Sequence, residues 1–135
     1  MSAPRFTILD ALSRGGSASR PNDDAYGAAR RGVFVIDGAT GLGEPLLPGE
    51  SDAQWVALEG AALLASRMDD PALSHQDLIA ATIGDLSQRF TARRAREPQE
   101  TYEVPFASFV MLRAAGGAPE AVSFGDCTLI LEAPD

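Results

Sequence analysis

The chain has 135 residues, 45% of them apolar and 22% charged, which is enough for one domain with a substantial core and is not typical of a disordered protein. It contains arginine but no lysine, and its 19 acidic residues give a formal net charge of −8. An acidic surface repels phosphate backbones, so we do not expect nucleic-acid binding. The absence of lysine also excludes a Walker-type phosphate loop and a lysine Schiff base.

Neither a membrane span nor a signal sequence is apparent. No stretch approaches the roughly 18 continuous apolar residues of a spanning helix, and the N-terminus lacks a basic, apolar and small-residue pattern. We therefore expect a cytoplasmic protein without membrane association, and the arginine- and alanine-rich composition is typical of bacteria with GC-rich genomes. The single cysteine, Cys127, excludes an intrachain disulfide and a multi-cysteine zinc site, so any metal would need carboxylate ligands.

The first half of the chain predicts two strands followed by two helices. Residues 6–12 alternate apolar and polar residues, and residues 31–36 form an apolar run, so we expect them to pair as a hairpin across the glycine- and proline-containing segment 13–22. Segment 38–49 is too rich in glycine and proline for regular structure. Ser51 and Ser74 read as helix N-caps, opening helices over 51–68 and from residue 74. The apolar stripes expected to face the core are Trp55, Leu58, Ala62 and Ala65 in the first helix, and Ile79, Ile83, Leu86 and Phe90 in the second.

The last third predicts three more strands, at residues 106–113, 121–124 and 128–132, joined by glycine-containing turns. The order strand, strand, helix, helix and three strands indicates an α+β fold with an antiparallel sheet, in a single domain over residues 1–135. A sheet of this kind ending directly after a strand would leave an uncovered face and edge. We therefore expect either further chain or a homo-oligomer to cover it.

Two acidic clusters form the sharpest functional signal from the residues alone. Asn22, Asp23 and Asp24 lie in a polar turn, and Asp37 and Gly38 end the second strand. Two adjacent strand ends can bring such carboxylates together as oxygen ligands of a divalent cation, with a glycine carbonyl beside them. The structural alternatives stay open, because Asp-Gly is a common turn dipeptide and Asp23-Asp24 suits an Asx turn or a helix cap.

Other polar features favour structural roles. We interpret the arginines at positions 89, 93, 94 and 96 as a solvated face near a helix end. His75 is expected to be exposed at the start of a helix, and Cys127 to be an inert thiol in a buried strand. The glycines of segment 38–43 do not keep dinucleotide-binding spacing. A single histidine and the absence of a nucleophile elbow argue against Ser-His-Asp and Cys-His catalysis.

Three segments, taken in order, resemble the metal-dependent serine/threonine protein phosphatases of type 2C. The segment Arg20-Pro21-Asn22-Asp23-Asp24-Ala25 is similar to the family's first motif, and Val33-Phe34-Val35-Ile36-Asp37-Gly38 to the strand that ends in its metal-bridging Asp-Gly. Ser108-Phe109-Val110 followed by Ser123-Phe124-Gly125-Asp126-Cys127 is similar to its later strand pair and Gly-Asp-Ser turn. The match spans most of the chain.

The resemblance implies a role for each matching residue. Asp37 would bridge two Mn²⁺ or Mg²⁺ ions, Gly38 would offer its carbonyl to one of them, and Asp23 and Asp24 would hold metal-bound waters. Arg20 would bind the substrate phosphate, and Asp126 would serve a third cation. The implied reaction is hydrolysis of phosphoserine or phosphothreonine in a phosphoprotein, or of a phosphorylated small molecule, by a metal-bridging hydroxide. This is a signalling hydrolase activity.

The resemblance also implies an antiparallel β-sandwich with flanking helices, of which this chain would be the N-terminal part or a shortened member. Arg20 lies one residue closer to Asp24 than in the family pattern, and Cys127 replaces a serine. Family domains are about twice this length and carry further metal-binding aspartates in the second half. Two alternatives therefore stand beside the phosphatase: a catalytically inactive binding or regulatory module of the same fold, and a structural or oligomerisation domain with solvated acidic turns.

Overall fold

Four strands and two helices form the regular structure of residues 4–39, 41–49 and 51–134, which the computed structural model describes. In chain order they are β1 (Asp24–Ala29), β2 (Gly32–Gly38), α1 (Asp52–Arg67), α2 (His75–Arg93), a short 3-10 turn (Thr101–Glu103), β3 (Ala107–Arg113) and β4 (Glu120–Phe124). None of the described helices is long and apolar enough to cross a membrane.

The strands form one antiparallel sheet in the order β1-β2-β3-β4. A two-residue turn joins β1 to β2, and its backbone N–H groups at Arg30 and Arg31 donate to the carboxylate of Asp69, at 3.3 and 2.8 Å. Both helices lie in the connection between β2 and β3. The predicted α+β class with an antiparallel sheet is therefore confirmed.

Alternation along β2 separates the two faces of the sheet. Phe34 and Ile36 are buried on the side covered by the helices, whereas Val35 and Asp37 point to the other side and are exposed. Small residues of α1 allow this helix to approach the sheet closely. The buried cluster between helices and sheet consists of Ala25, Phe34, Ile36, Ala57, Leu64, Met68, Leu78, Phe109 and Met111.

The predicted N-caps are confirmed, but the apolar stripe of the first helix is partly wrong. The Ser51 hydroxyl accepts from the Gln54 N–H, and the Ser74 hydroxyl accepts from the Asp77 N–H. Leu58 is 55% exposed. Ala62 and Ala65 are exposed as well, and of the four expected residues Trp55 alone is buried. In α2, Phe90 is buried, but Ile83 is 55% exposed. The buried face of α1 is the neighbouring stripe, and sequence periodicity alone does not distinguish it from the expected one; its buried residues are Ala53, Trp55, Ala57, Gly60, Leu63 and Leu64.

Two predicted strands are absent and one observed strand was not expected. Residues 6–12 and 128–132 have no strand pairing, although the Phe6 N–H donates to the Arg30 carbonyl at 3.1 Å. Leu9 is 95% exposed and Ile130 is 88% exposed. Instead, β1 begins at Asp24, within the segment 22–24 that the sequence predicts as a polar turn. A two-residue connection costs much less chain entropy than a long loop, so the local strand takes the edge position beside β2.

Arg113 ties β3 to both helices from a fully buried position. Its guanidinium donates to the backbone carbonyls of Met68, Asp70 and Leu73, at 2.9, 2.7 and 2.8 Å. It also lies 3.3 Å from Nδ1 of His75. These carbonyls belong to the end of α1 and the connection to α2, so a single side chain satisfies the backbone where one helix stops and the next begins.

We expect Arg113→Met to lower the free energy of unfolding by about 3 kcal/mol, because the backbone carbonyls of Met68, Asp70 and Leu73 lose their donor. Urea unfolding followed by circular dichroism measures this difference. Arg30→Met, in the exposed β1–β2 turn, is the matched control and should change stability by less than about 0.5 kcal/mol. Equal losses in the two variants would show that the Arg113 hydrogen bonds do not hold the helices to the sheet.

Candidate functional site

Three polar residues line up across one end of the sheet, on the face opposite the helices. Asp24 of β1 lies directly opposite Asp37 of β2, and Asp37 lies opposite Ser108 of β3. Facing residues in an antiparallel sheet point to the same side, so these side chains share one face. The Ser108 hydroxyl donates at 2.8 Å to Oδ1 of Asp126, in the turn after β4. The expected meeting of the two acidic clusters is therefore observed, with Asp126 attached to the same end of the sheet.

The carboxyl groups of Asp24 and Asp37 crowd one another. Partial burial raises the pKa of Asp24, and a hydrogen bond to Asp37 and the negative charges of Asp37 and Asp23 raise it further. Two ionised carboxylates on directly facing residues repel one another, so the pair favours a shared proton or a bound cation over two free negative charges. Without a counterion, repulsion between these two carboxylates lowers the stability of the folded protein.

Asp24→Asn should stabilise the metal-free protein at pH 7, by about 0.5 kcal/mol, because it removes a like-charge cross-strand pair. A raised pKa in the folded state means that the native protein holds this proton more tightly than the unfolded chain. The stability that Asp24 contributes is thus present at low pH, and it is lost as the pH rises through the pKa of Asp24 in the folded state. Urea unfolding in EDTA at pH 7 and pH 3 measures the change.

The stabilising effect of Asp24→Asn should therefore disappear at pH 3, where wild-type Asp24 is protonated. Asp10→Asn, an exposed change of the same charge, should lack this pH dependence. A stabilisation of Asp24→Asn that is the same at both pH values would contradict repulsion as its cause.

Asp23 is directed towards the start of α1 rather than along the sheet. The Ser51 hydroxyl donates to its Oδ1 at 2.8 Å, while the same hydroxyl caps α1. The backbone carbonyl of Asp23 accepts from the Gly38 N–H at 2.9 Å. The amide of Gln54 donates to the neighbouring Asn22 carbonyl at 3.1 Å. The first acidic segment is thus fastened both to the end of β2 and to the first turn of α1.

Gly38 is required by packing at this junction. A Cβ at this position would lie 2.4 Å from the Ala53 carbonyl oxygen and 2.5 Å from the Asp23 carbonyl oxygen, both of them backbone atoms. Such contacts are far inside van der Waals distance, so a side chain would force α1 or the acidic segment away from β2. The Asp-Gly pair therefore has a structural reason of its own, independent of any ligand.

We expect Gly38→Ala to lower the free energy of unfolding by about 2 kcal/mol, through overpacking against two backbone segments. Chemical denaturation measures the loss. Gly84→Ala, at an exposed position within α2 where no atom lies within 4 Å of the added Cβ, is the matched control. It should be stabilising, by about 0.5 kcal/mol, because alanine is the better helix former. A neutral effect of Gly38→Ala would show that the junction is loose.

Cys127 lies beside the carboxylates and not in a buried strand. Burial raises the pKa of its thiol, and the charges of Asp37, Asp126 and Asp24 raise it further, while a hydrogen bond with the Asp37 backbone acts in the opposite direction. The side chain is half-buried. The expected strand position is wrong, but a raised pKa does make the thiol a weak nucleophile.

Arg20 is exposed in the loop before β1, and no described hydrogen bond or ion pair joins its guanidinium to the carboxylates.

His75, expected to be exposed, is half-buried: its Nε2 lies 3.1 Å from Glu120 on β4, and its other ring nitrogen contacts Arg113. The clustered arginines contact acids: Arg89 forms an ion pair with Glu59, Arg94 with Glu97 and Arg96 with Glu103.

The described residues contain no group of three or more histidine, cysteine, aspartate or glutamate side chains arranged to hold a metal ion. The structure thus brings together Asp24 and Asp37 as a pair, with Asp126 and Cys127 near them and Asp23 turned to the helix. Sequence reasoning missed the serine that binds Asp23, because an N-cap signal does not reveal what else its hydroxyl contacts.

No protein-family model, curated protein or solved structure matches this chain.

Proposed function

We propose that this chain is a phosphatase unit of the metal-dependent type 2C kind, acting on phosphoserine or phosphothreonine in a phosphoprotein. The observation that carries the proposal is the alignment of Asp24, Asp37 and Ser108 across adjacent strands, with Ser108 bonded to Asp126. Asp24, Asp37 and Asp126, which the motif resemblance assigned to metal binding, thereby lie at one end of one sheet, although Asp24 and Asp126 are more than 100 positions apart in the chain.

The chemistry of the carboxylate pair suits a hard divalent cation such as Mn²⁺ or Mg²⁺. Oxygen ligands are what these ions prefer, and a positive ion would relieve the repulsion that raises the pKa of Asp24. Since no group of three ligands occurs among the described residues, the pair fits part of a metal site and not a complete one. Full catalysis therefore needs additional acids beyond this pair.

In this proposal, Asp24 and Asp37 would hold the cation, with the Gly38 carbonyl and Asp23 beside it. Asp126, positioned by Ser108, would serve a further cation. Arg20 would bind the substrate phosphate through its planar guanidinium. A bound divalent ion would supply charge neutralisation on the phosphate and a more acidic water. The protein itself provides the carboxylates, which the ends of the strands hold in position.

The sheet face opposite the helices supports the proposal of a sandwich. Tyr26 is 47% exposed and Val35 is 45% exposed on that face, next to each other in the β1–β2 register. We propose that a second sheet, supplied by further chain or by a second copy in a homo-oligomer, covers these residues and brings the additional acids.

One observation favours a second candidate function, an inactive phosphatase-like binding module. The described residues lack a three-ligand metal group, and the carboxyls of Asp23 and Asp126 already accept hydrogen bonds from Ser51 and Ser108. In such a module the acidic pair would persist as a structural feature, and the protein would bind a partner without hydrolysing phosphate.

The experiment that tests the proposal is a calorimetric titration of Mn²⁺ into the wild type and Asp37→Asn at neutral pH and low salt. We expect saturable binding that weakens at least tenfold in the variant, because the cation loses a charged ligand. Asp10→Asn, which removes an exposed carboxylate in the N-terminal segment, is the matched control and should bind as the wild type does.

Identical Mn²⁺ titrations of wild type and Asp37→Asn would overturn the metal site and favour a structural domain. A Mn²⁺-dependent assay with p-nitrophenyl phosphate then separates the first two candidates. Turnover that is lost in Asp37→Asn identifies a phosphatase, whereas specific Mn²⁺ binding without turnover, even in an assembly that supplies the additional acids, identifies the inactive module.

A further inference from the structure

A cavity of about 330 Å³ opens between the two helices and the half of the sheet formed by β3 and β4. Its wall includes Ile36, Phe109 and Phe124 from the strands, residues of α1 and α2, and the segment 104–106 before β3. The space arises because α1 packs against β1 and β2, whereas α2 packs mainly against α1. Ile36 and Phe109 belong to the buried cluster under the helices, so the cavity lies across the sheet from the carboxylate pair.

Aromatic side chains dominate the wall of this cavity. On the sheet, the rings of Phe109 and Phe124 are stacked, with centroids 6.0 Å apart and an interplanar angle of 24°. On the helices, Trp55 and Phe90 form a second pair, with centroids 5.9 Å apart. Phe106 lies in the same wall, so four of the six phenylalanines and the single tryptophan line one cavity. Aromatic walls favour an aromatic ligand, because ring faces and edges carry complementary partial charges.

The polarity of the wall determines which ligands the cavity accepts. Among the described residues, the wall contains no charged side chain. Its hydroxyl groups belong to Thr82, which donates to the Leu78 carbonyl at 2.8 Å, and to Ser87, which is exposed. An ion in this cavity would lose hydration without gaining a charged partner, and the net charge of −8 opposes anions in particular. The wall therefore favours a neutral molecule.

The side chains of the wall leave this space unfilled. Ile83, Phe106 and Phe124 line the cavity and are nevertheless exposed. The indole Nε1 of Trp55 is buried without a hydrogen-bond partner among the described residues, so packing around this ring is incomplete as well. An apolar cavity of about 150 Å³ holds a benzene-sized molecule, so the volume available here suits a bicyclic one.

We propose that this cavity is a binding site for a neutral bicyclic aromatic molecule. The two aromatic pairs, one on the sheet and one on the helices, supply ring contacts, and Ser87 offers a hydroxyl for one polar group of the ligand. The volume lies in the lower range of small-molecule pockets and is too small for a helix or a folded partner. The site is separate from the carboxylate pair and does not depend on the proposed phosphatase activity.

The test is a titration of 2-naphthol, 2-naphthoate and decahydro-2-naphthol into the ¹⁵N-labelled protein at pH 7, followed by NMR. Trp55 is the single tryptophan, so its indole N–H gives one isolated signal from the wall of the cavity. We expect 2-naphthol to shift this signal saturably. The anion 2-naphthoate should bind at least tenfold more weakly, because its charge would be buried. Decahydro-2-naphthol, which keeps the skeleton but not the aromatic rings, should bind about fivefold more weakly.

Ile83→Asn and Leu58→Asn form a matched pair of variants. Both residues lie on helices and are 55% exposed, so neither substitution should unfold the protein. Ile83 lines the cavity, whereas Leu58 is not among its described wall residues. We expect Ile83→Asn to weaken 2-naphthol binding about tenfold, because an amide replaces apolar contact area, and Leu58→Asn to bind as the wild type does.

Three results would contradict the proposal. A Trp55 indole signal that does not move with 2-naphthol, or equal weakening in the two variants, would place any binding outside the cavity. Equal affinity for 2-naphthol and 2-naphthoate would remove the selectivity for a neutral ligand. Self-association that Ile83→Asn abolishes and that 2-naphthol does not reverse, measured by sedimentation velocity, would show that a second copy of the chain covers this cavity instead.

Discussion

The register of the β1–β2 hairpin is the constraint on which the candidate site depends. It places Asp24 opposite Asp37, and the short turn at Arg30 and Arg31, held by Asp69, allows no other pairing without rebuilding the turn. A slip of one residue would turn Asp37 towards the helices and expose Phe34 to solvent. Burial of Phe34 and Ile36 therefore determines the direction of the carboxylates as much as it stabilises the core.

The junction of β2 with α1 supports this register from the other side. Gly38 permits the backbone of the acidic segment and that of the first helical turn to meet at the strand end. Ser51 joins the same elements through its hydroxyl, which both caps the helix and binds Asp23. Because the contacts are short and involve backbone atoms, the three segments form one rigid unit. The carboxylates of Asp24 and Asp37 on this unit therefore stay opposite one another in spite of their mutual repulsion.

The arginines of the molecule differ in whether an acidic side chain neutralises them. Most arginines near α2 are neutralised by acids, so the net negative surface repels polyanions in general. Arg14 and Arg20 lie in the loop before β1 and have no side-chain hydrogen bond or ion pair among the described residues.

Much of the local structure followed from sequence, because it depends on neighbours in the chain. Both helix caps, the strand at 31–36 and the later strand pair came from side chains within a few residues of one another, and so did the α+β class. The sequence also predicted that Asp24 and Asp37 meet, but through a hairpin of residues 6–12 with 31–36; the structure brings them together through β1, a strand that was not predicted. Tertiary structure decided the rest. Residues 6–12 and 128–132 have strand-like patterns but no partner strand, and a strand without a partner leaves its backbone groups unpaired. The buried face of α1, the contact of Ser51 with Asp23 and the close approach at Gly38 depend on how distant segments pack, and no local pattern carries that information.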